Sequence, residues 1–360
     1  MSATTKFYPL TVCDLRRETA DTVSVAFSVP PEYEELFRFI QGQYLTLRAD
    51  WGAGEVRRSY SICSGVEEGE LRVAIKKVAG GLFSTFANEQ LKKGDTLEVM
   101  PPQGRFFTPL DPTQSRLYVA FAAGSGITPI LSILKTVLAR EPHSRFILFF
   151  GNRSFDQVIF HEALELLKNR YPDRLSVHHV FTKEMTGSDL FYGRIDADKC
   201  RQFARLLFDP LEVSAFFLCG PEDMIFQVKD TLSALGADAR KIHFELFTTP
   251  GAARKTAAPI VTAAAADRFD AAVTVIQDGA QFDFLLVSDG STVLDAAMRA
   301  GADLPFSCKG GVCSTCKAKV LEGEVSMDLC YALEPDELEA GYVLTCQAHP
   351  KSKRLVVSFD

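Results

Sequence analysis

The chain has no apolar run approaching the roughly 18 residues that a membrane-crossing helix needs. Its first residues, Met-Ser-Ala-Thr-Thr-Lys-Phe-Tyr-Pro, hold no apolar core of signal-peptide length. It also lacks an excess of positive charge: the net charge is −7, which argues against a nucleic-acid partner. The six histidines form no H-E-x-x-H pair and no G-x-S-x-G elbow occurs, so zinc-protease and serine-hydrolase chemistry lack their sequence marks. These absences predict a cytoplasmic protein with neither membrane nor nucleic acid as partner. What remains is ordinary globular composition, 47% hydrophobic and 24% charged, over 360 residues, enough for two or three domains.

Cysteine is present in number. Nine of them without a secretion signal point to a reducing compartment, where thiols stay available to metals. Cys308-Lys-Gly-Gly-Val-Cys313-Ser-Thr-Cys316, answered by Cys346, has the ligand spacing of a plant-type [2Fe–2S] cluster. Gly310 and Gly311 allow the tight turn such a loop makes, and its N–H groups would face anionic sulfur. A structural zinc site usually pairs two C-x-x-C knuckles, and only one is here. Cys330 lies between the third and fourth ligands and is the rival for a ligand role. Cys13, Cys63, Cys200 and Cys219 read first as small buried apolar residues.

Charge is unevenly spread. From Phe269 to Asp360 there are 14 acidic and 7 basic residues, while the rest balances at 32 of each. The acidic run Glu334, Asp336, Glu337 and Glu339 reads either as a solvated face or as a surface steering a basic partner.

Residues 5 to about 110 alternate on strand spacing, as in Thr22–Ser28, Tyr44–Arg48 and Leu71–Lys77, and predict an all-β domain with one helix over Leu82–Leu91. In Arg57-Arg58-Ser59-Tyr60-Ser61, Arg58 and Tyr60 share a strand face, suiting a guanidinium on phosphate beside a ring on a planar ligand. An exposed sheet face would look the same. Gly80-Gly81-Leu82-Phe83-Ser84-Thr85 opens the helix, either as an anion site or as a cap by Ser84 or Thr85.

From Leu117 strands alternate with helices, predicting a parallel α/β sheet. Strands are expected at Leu117–Ala123, Phe146–Phe150, Leu175–Phe181, Ala215–Leu218 and Ile242–Phe247, and helices over Ile130–Ala139, Asp156–Arg170 and Glu222–Leu235. Gly124-Ser-Gly126-Ile-Thr128-Pro129 follows a strand and opens a helix, a nucleotide-phosphate arrangement, although Thr128 also reads as an N-cap with Pro129 at N1. Cys219-Gly220-Pro221 lies at another strand exit, where ligands bind in open α/β sheets. Past Phe149-Phe-Gly151-Asn152 stands Arg153 in place of an acidic residue. That points to a 2′-phosphate and so to NADPH, against the plain reading of a surface arginine.

The stretch 250–268 is rich in Thr, Pro and Ala and reads as a linker. Beyond it a hairpin turns at Asp278-Gly279, Thr292-Val-Leu-Asp295 caps a helix ended by Gly301, and strands follow at Lys317–Leu321 and Leu355–Phe359.

The motifs Arg58-Ser-Tyr60-Ser61, Gly81-Leu-Phe-Ser84-Thr85, Gly124-Ser-Gly126-Ile-Thr128-Pro129 and Cys219-Gly-Pro221 together resemble the ferredoxin–NADP⁺ reductase superfamily. With the C-terminal cluster motif, the chain resembles the reductases of multicomponent oxygenases. That resemblance implies an antiparallel β-barrel flavin domain at 1–112 and a parallel α/β nicotinamide domain at 113–249. It also implies a β-grasp ferredoxin domain of α+β class at 269–360. By analogy Arg58, Ser59, Tyr60 and Ser61 bind the flavin, with Tyr60 stacked on its ring and Ser61 near its redox-active nitrogen. Gly81, Ser84 and Thr85 would hold a diphosphate, which favours FAD. Gly124, Gly126 and Thr128 would contact the nicotinamide nucleotide, with Cys219, Gly220 and Pro221 near its ring. Glu245 and Phe247 would cover the flavin's other face, and Cys308, Cys313, Cys316 and Cys346 would bind the cluster. The implied activity carries electrons from NADPH (NADH being possible) through FAD and [2Fe–2S] to an oxygenase component, expected to be di-iron. Reduction of a steroid or aromatic-ring hydroxylase, or a redox-sensing role without catalysis, are the other readings.

Overall fold

The computed structural model describes residues 6–50, 54–247, 270–287 and 290–360. The stretch 250–268 read as a linker lies outside the described residues. The chain divides into two compact units, one built from Tyr8–Val56 and Tyr60–Phe247 and the other from the C-terminal residues together with Arg57–Ser59 in the middle of the fourth strand.

The first unit begins with β1 (Tyr8–Thr19), β2 (Thr22–Ser28), β3 (Tyr44–Asp50), β4 (Glu55–Ser61), β5 (Leu71–Lys76) and β6 (Thr96–Gln103). They form an antiparallel sheet in the order β4-β3-β6-β1-β2-β5. A bridge from Ile62, just past β4, to Val73 on β5 joins the two edges and closes the sheet into the expected barrel. Alternate residues point inward, so Leu10 and Val12, Val23 and Val25, Leu45 and Leu47, and Val73 and Ile75 are fully buried. Helix α1 (Leu82–Glu89) lays Phe83 and Ala87 on this core.

The same unit continues with β7 (Leu117–Ala123), β8 (Arg145–Asn152), β9 (Leu175–Phe181), β10 (Ala215–Gly220) and β11 (Ile242–Leu246). These are parallel, in the order β11-β10-β7-β8-β9. Helices α2 (Ile127–Arg140), α3 (His161–Arg170), α4 (Ala197–Leu207) and α5 (Glu222–Ala234) connect the strands. The central strands are continuously apolar because helices cover both faces. The strand order reverses beside β7, which leaves a crevice at the carboxyl ends of β7 and β10. Phe106, just past the barrel's last strand, meets Phe217 of β10 edge-on at 5.6 Å. Both rings are buried, each contributing about 1.5–3 kcal/mol, and they weld barrel and parallel sheet into one core.

Two helical expectations shift and one helix is added. The helix expected from Asp156 starts at His161, because Phe160 takes a left-handed conformation (φ 62°, ψ 29°) after a short 3-10 turn at Phe155–Gln157. Helix α2 starts at Ile127, so Thr128 is not its N-cap; its hydroxyl donates to the Ser125 carbonyl at 3.0 Å. Helix α4 is an addition to the expected elements. It buries only Cys200 and Phe203, and the Asp196 side chain caps it by accepting from the Lys199 N–H.

In the C-terminal unit, β12 (Ala271–Gln277) and β13 (Ala280–Leu286) form the hairpin around Asp278-Gly279. Strands β14 (Lys317–Glu322), β16 (Tyr342–Leu344) and β18 (Arg354–Ser358) complete a mixed sheet ordered β13-β12-β18-β14-β16. A separate pair joins β15 (Val325–Met327) to β17 (Ala348–Pro350). Helix α6 (Val293–Arg299), capped by Thr292, buries Leu294 and Ala297 in the core shared with Val273, Val275, Leu355 and Val357. A short helix α7 (Pro335–Glu339) occupies the acidic run. There Glu337 is buried, accepting from Lys317 at 2.7 Å and from the Glu334 N–H at 3.0 Å. That carboxylate shapes its own turn. Among the described residues no helix is long and apolar enough to cross a membrane.

Candidate functional site

The end of β4 delivers Tyr60 and Ser61, and α1 delivers Phe83. The rings of Tyr60 and Phe83 lie 5.6 Å apart and tilted by 40°, which brings the two flavin motifs of the sequence together. Ser61 faces the other way and donates its hydroxyl to Glu245 Oε2 at 2.9 Å. Glu245 sits opposite Cys219 in the β10–β11 register. Burial pushes the Glu245 carboxyl up to about 7, opposed by the Ser61 hydroxyl. Burial also pushes the Cys219 thiol well up, with the Glu245 charge adding to the effect. Cys219 is therefore a neutral, closed-in thiol beside a carboxyl that titrates near neutrality. Phe247 follows β11 and is exposed.

Arg58 and Ser59 lie on β4 with Tyr60, and the Arg58 guanidinium donates to the Arg57 carbonyl at 2.7 Å. Ser84 is not a cap. Its hydroxyl accepts from the Val78 N–H at 3.1 Å and donates to the Gly81 carbonyl at 3.3 Å. Thr85 makes the first helical bond, its N–H donating to Gly81. Among the described residues no side chain caps the N-terminus of α1, which leaves its positive end suited to an anion.

At the crevice, Gly124 has φ 52° and a Cβ there would meet nothing within 4 Å. Gly126 differs: a Cβ would stand 2.1 Å from the Cys219 carbonyl oxygen. Its lack of a side chain is what lets the turn after β7 cross the end of β10. Gly220 and Pro221 then lead into α5. Arg153 stands just past β8, exposed, and its carbonyl accepts from the Lys183 N–H at 2.9 Å. Lys183 thus occupies the adjacent strand exit, a cation that the sequence alone does not single out because only the β8–β9 pairing sets it there. The Asn152 amide nitrogen, at the end of β8, is buried with no hydrogen-bond partner among the described residues. An uncapped helix end, an open glycine turn and an orphaned donor are features that a dinucleotide would satisfy.

The four cysteine thiols of the C-terminal motif come as two pairs. Cys313 donates to Cys308 Sγ at 3.1 Å, and Cys316 donates to the Cys346 sulfur. The backbone N–H of Gly310 reaches Cys308 Sγ at 3.3 Å, and those of Val312 and Cys313 also point to it. The Gly311 N–H points to Cys346. Gly311 has φ 74°, and a Cβ on it would meet the Leu329 carbonyl oxygen at 2.8 Å. The hydrogen bond from Cys313 leads in lowering the Cys308 thiol to about 6, and that from Cys316 leads in lowering the Cys346 thiol. Cys330 is hydrogen-bonded by the Leu333 N–H and belongs to neither pair. Among the described residues no three Cys, His, Asp or Glu converge on a single ion. Two thiol pairs surrounded by N–H donors fit a two-iron cluster better than one tetrahedral zinc.

Three known domain families match successive parts of the chain. Residues 9–107 match the oxidoreductase FAD-binding domain family, residues 121–230 the oxidoreductase NAD-binding domain family, and residues 275–351 the 2Fe-2S iron–sulfur cluster binding domain family. The chain belongs to the oxygenase reductases of the ferredoxin–NADP⁺ reductase superfamily, enzymes that join flavin-, nicotinamide- and cluster-binding domains in one polypeptide. It is 46% identical to a component of the 1,2-phenylacetyl-CoA epoxidase of Escherichia coli (strain K12), covering 99% of this chain and 98% of that one. It is 35% identical to the ferredoxin reductase component of 3-ketosteroid-9-alpha-monooxygenase from Rhodococcus rhodochrous, covering 97% and 96%. Among solved structures its fold matches phthalate dioxygenase reductase, with a TM-score of 0.59 at 23% identity over 98% of both chains.

Proposed function

We propose that this reductase takes electrons from NADPH and delivers them to a di-iron oxygenase that acts on phenylacetyl-CoA. The acceptor rests on the end-to-end likeness to the phenylacetyl-CoA epoxidase component. The chemistry rests on one observation, the hydrogen bond from Ser61 to Glu245 at 2.9 Å. It joins the end of the flavin barrel to the last strand of the nicotinamide sheet, the junction a hydride must cross. When bound, nicotinamide supplies two electrons as hydride, FAD divides them, and the cluster passes them on singly.

The residues divide this work among three domains, at 1–112, 113–249 and 269–360. Arg58 binds the flavin diphosphate, Gly81, Ser84 and Thr85 at the α1 terminus hold it, and Ser59 belongs to the same flavin-binding strand. The Ser84 hydroxyl acts by fixing the loop, since it is spent on Val78 and Gly81. Tyr60 stacks on the flavin ring and Phe247 covers its other side. Gly124, Gly126, Thr128, Gly220 and Pro221 shape the nucleotide crevice, and Arg153 binds a 2′-phosphate. Ser61, donating to Glu245, would serve the flavin near its redox-active nitrogen, and Cys219 would lie near the nicotinamide ring. Cys308 and Cys313 hold one iron and Cys316 and Cys346 the other.

The test mixes the purified chain with phenylacetyl-CoA epoxidase components and follows NADPH-driven product formation. Turnover is expected. Its absence, with turnover of a 3-ketosteroid hydroxylase instead, would reassign the acceptor.

A further inference from the structure

Beside the four thiols lies a buried polar side chain outside the ligand set. Gln347 is 7% exposed, and its Nε2 stands 2.9 Å from the Cys346 carbonyl, 3.1 Å from the Lys309 carbonyl and 3.6 Å from Cys346 Sγ. Backbone carbonyls only accept, so the NH₂ end of the amide must face them. Of its two hydrogens, one serves Lys309 and the other is shared between the oxygen and sulfur of Cys346.

Lys309 is no ordinary acceptor. It follows Cys308 directly and has φ 50°, a left-handed conformation that non-glycine residues seldom adopt. Its side chain is held by Asp295 at 2.8 Å and lies over the Phe306 ring at 4.7 Å. Gln347 therefore fastens the strained start of the first thiol pair to the residue that carries the second.

We propose that Gln347 is a positioning residue for the cluster, tying the Cys308–Cys313 loop to Cys346 and donating toward Cys346 Sγ. Reduction adds negative charge to the sulfurs, so a donor there stabilises the reduced form and raises the midpoint potential. The inference rests on the ligand assignment proposed above.

The test uses the full chain with its cofactors and two substitutions. Gln347→Met keeps the length and loses the N–H, whereas Gln347→Glu keeps the shape and replaces the donor with an anionic acceptor. Anaerobic redox titration, followed by electron paramagnetic resonance, reads the cluster's potential and g values. At a fixed solution potential the reduced-to-oxidised ratio is expected to fall about tenfold in Gln347→Met, about 59 mV for one electron. It is expected to fall further in Gln347→Glu, with the flavin potential unchanged in both. Loss of the cluster from both variants with flavin absorbance retained also supports the tie. Wild-type g values and potential in both variants would overturn it. Failure of the ligand assignment looks different: Cys346→Ser would then keep an undisturbed cluster spectrum.

Discussion

The two units assemble their chemistry in opposite ways. In the first, Ser61 of β4 and Glu245 of β11 come from distant parts of the chain and meet only because barrel and parallel sheet share a core around Phe106 and Phe217. In the C-terminal unit three thiols sit within one short loop, and Cys346 alone is brought from elsewhere, with Thr345 donating its N–H to the Cys316 carbonyl at 3.1 Å. A site spread over many elements depends on packing and register. A site in one loop depends on backbone dihedrals and on a single return. Substitutions should therefore act over different ranges in the two units.

The largest contrast should come from the return ligand. Cys346→Ser is expected to remove most of the cluster's visible absorbance while FAD stays bound, because the Cys346 thiol is held by Cys316, Gly311 and Gln347, none of them a flavin residue. Loss of both cofactors would mean that the two sites are not independent. In the distributed site, Ser61→Ala removes the hydrogen bond to Glu245 without touching the cluster. Misplacing a reacting group by about 1 Å costs roughly 100-fold, so NADPH–ferricyanide reduction should slow by about that factor with the cluster spectrum unchanged. A wild-type rate would separate this hydrogen bond from hydride transfer.

Arg153→Ala should raise the KM for NADPH by roughly tenfold, in line with about 1.5–3 kcal/mol for a charge-assisted hydrogen bond, and leave that for NADH alone. An unchanged NADPH KM removes the 2′-phosphate assignment. Gly126→Ala drives a Cβ to within 2.1 Å of the Cys219 carbonyl oxygen. It should cost about 1–3 kcal/mol, read as a lower Tm for the first unit only.

The most gradual effect is a pH dependence. Burial holds the Glu245 carboxyl up at about 7, so the folded chain keeps a proton there that the unfolded chain has released above about pH 4.3. Stability therefore falls as pH rises from about 4.3 to about 7, and the loss persists above that. Glu245→Gln is expected to flatten this slope and to be up to about 3 kcal/mol more stable at pH 8. Parallel Tm-against-pH curves would show that Glu245 is not the titrating group.

How legible each part is in the sequence follows from the same contrast. The cysteine spacing, the glycine turn at Gly124–Gly126 and the apolar strand Leu117–Ala123 are local, and a sequence displays them directly. Helix α4 escapes a reading by periodicity because its buried face is only Cys200 and Phe203 among charged residues, and the cap at Asp196 is its one available sign. Phe160 breaks the expected helix by a left-handed conformation for which no glycine or asparagine gives warning. Glu337 belongs, in sequence, to an acidic run that looks exposed; tertiary packing places it against Lys317. The meeting of Ser61 with Glu245, and the clamp by Gln347, are long-range contacts that periodicity does not encode.

If electrons taken from NADPH leave through the thiol-bound cluster, removing one of its ligands must close the exit and spare the entrance. NADPH-driven reduction of cytochrome c by Cys313→Ala measures both ends of that route. The expected result is loss of cytochrome reduction while NADPH still bleaches the flavin at the wild-type rate. Cytochrome reduction at the wild-type rate would contradict the route.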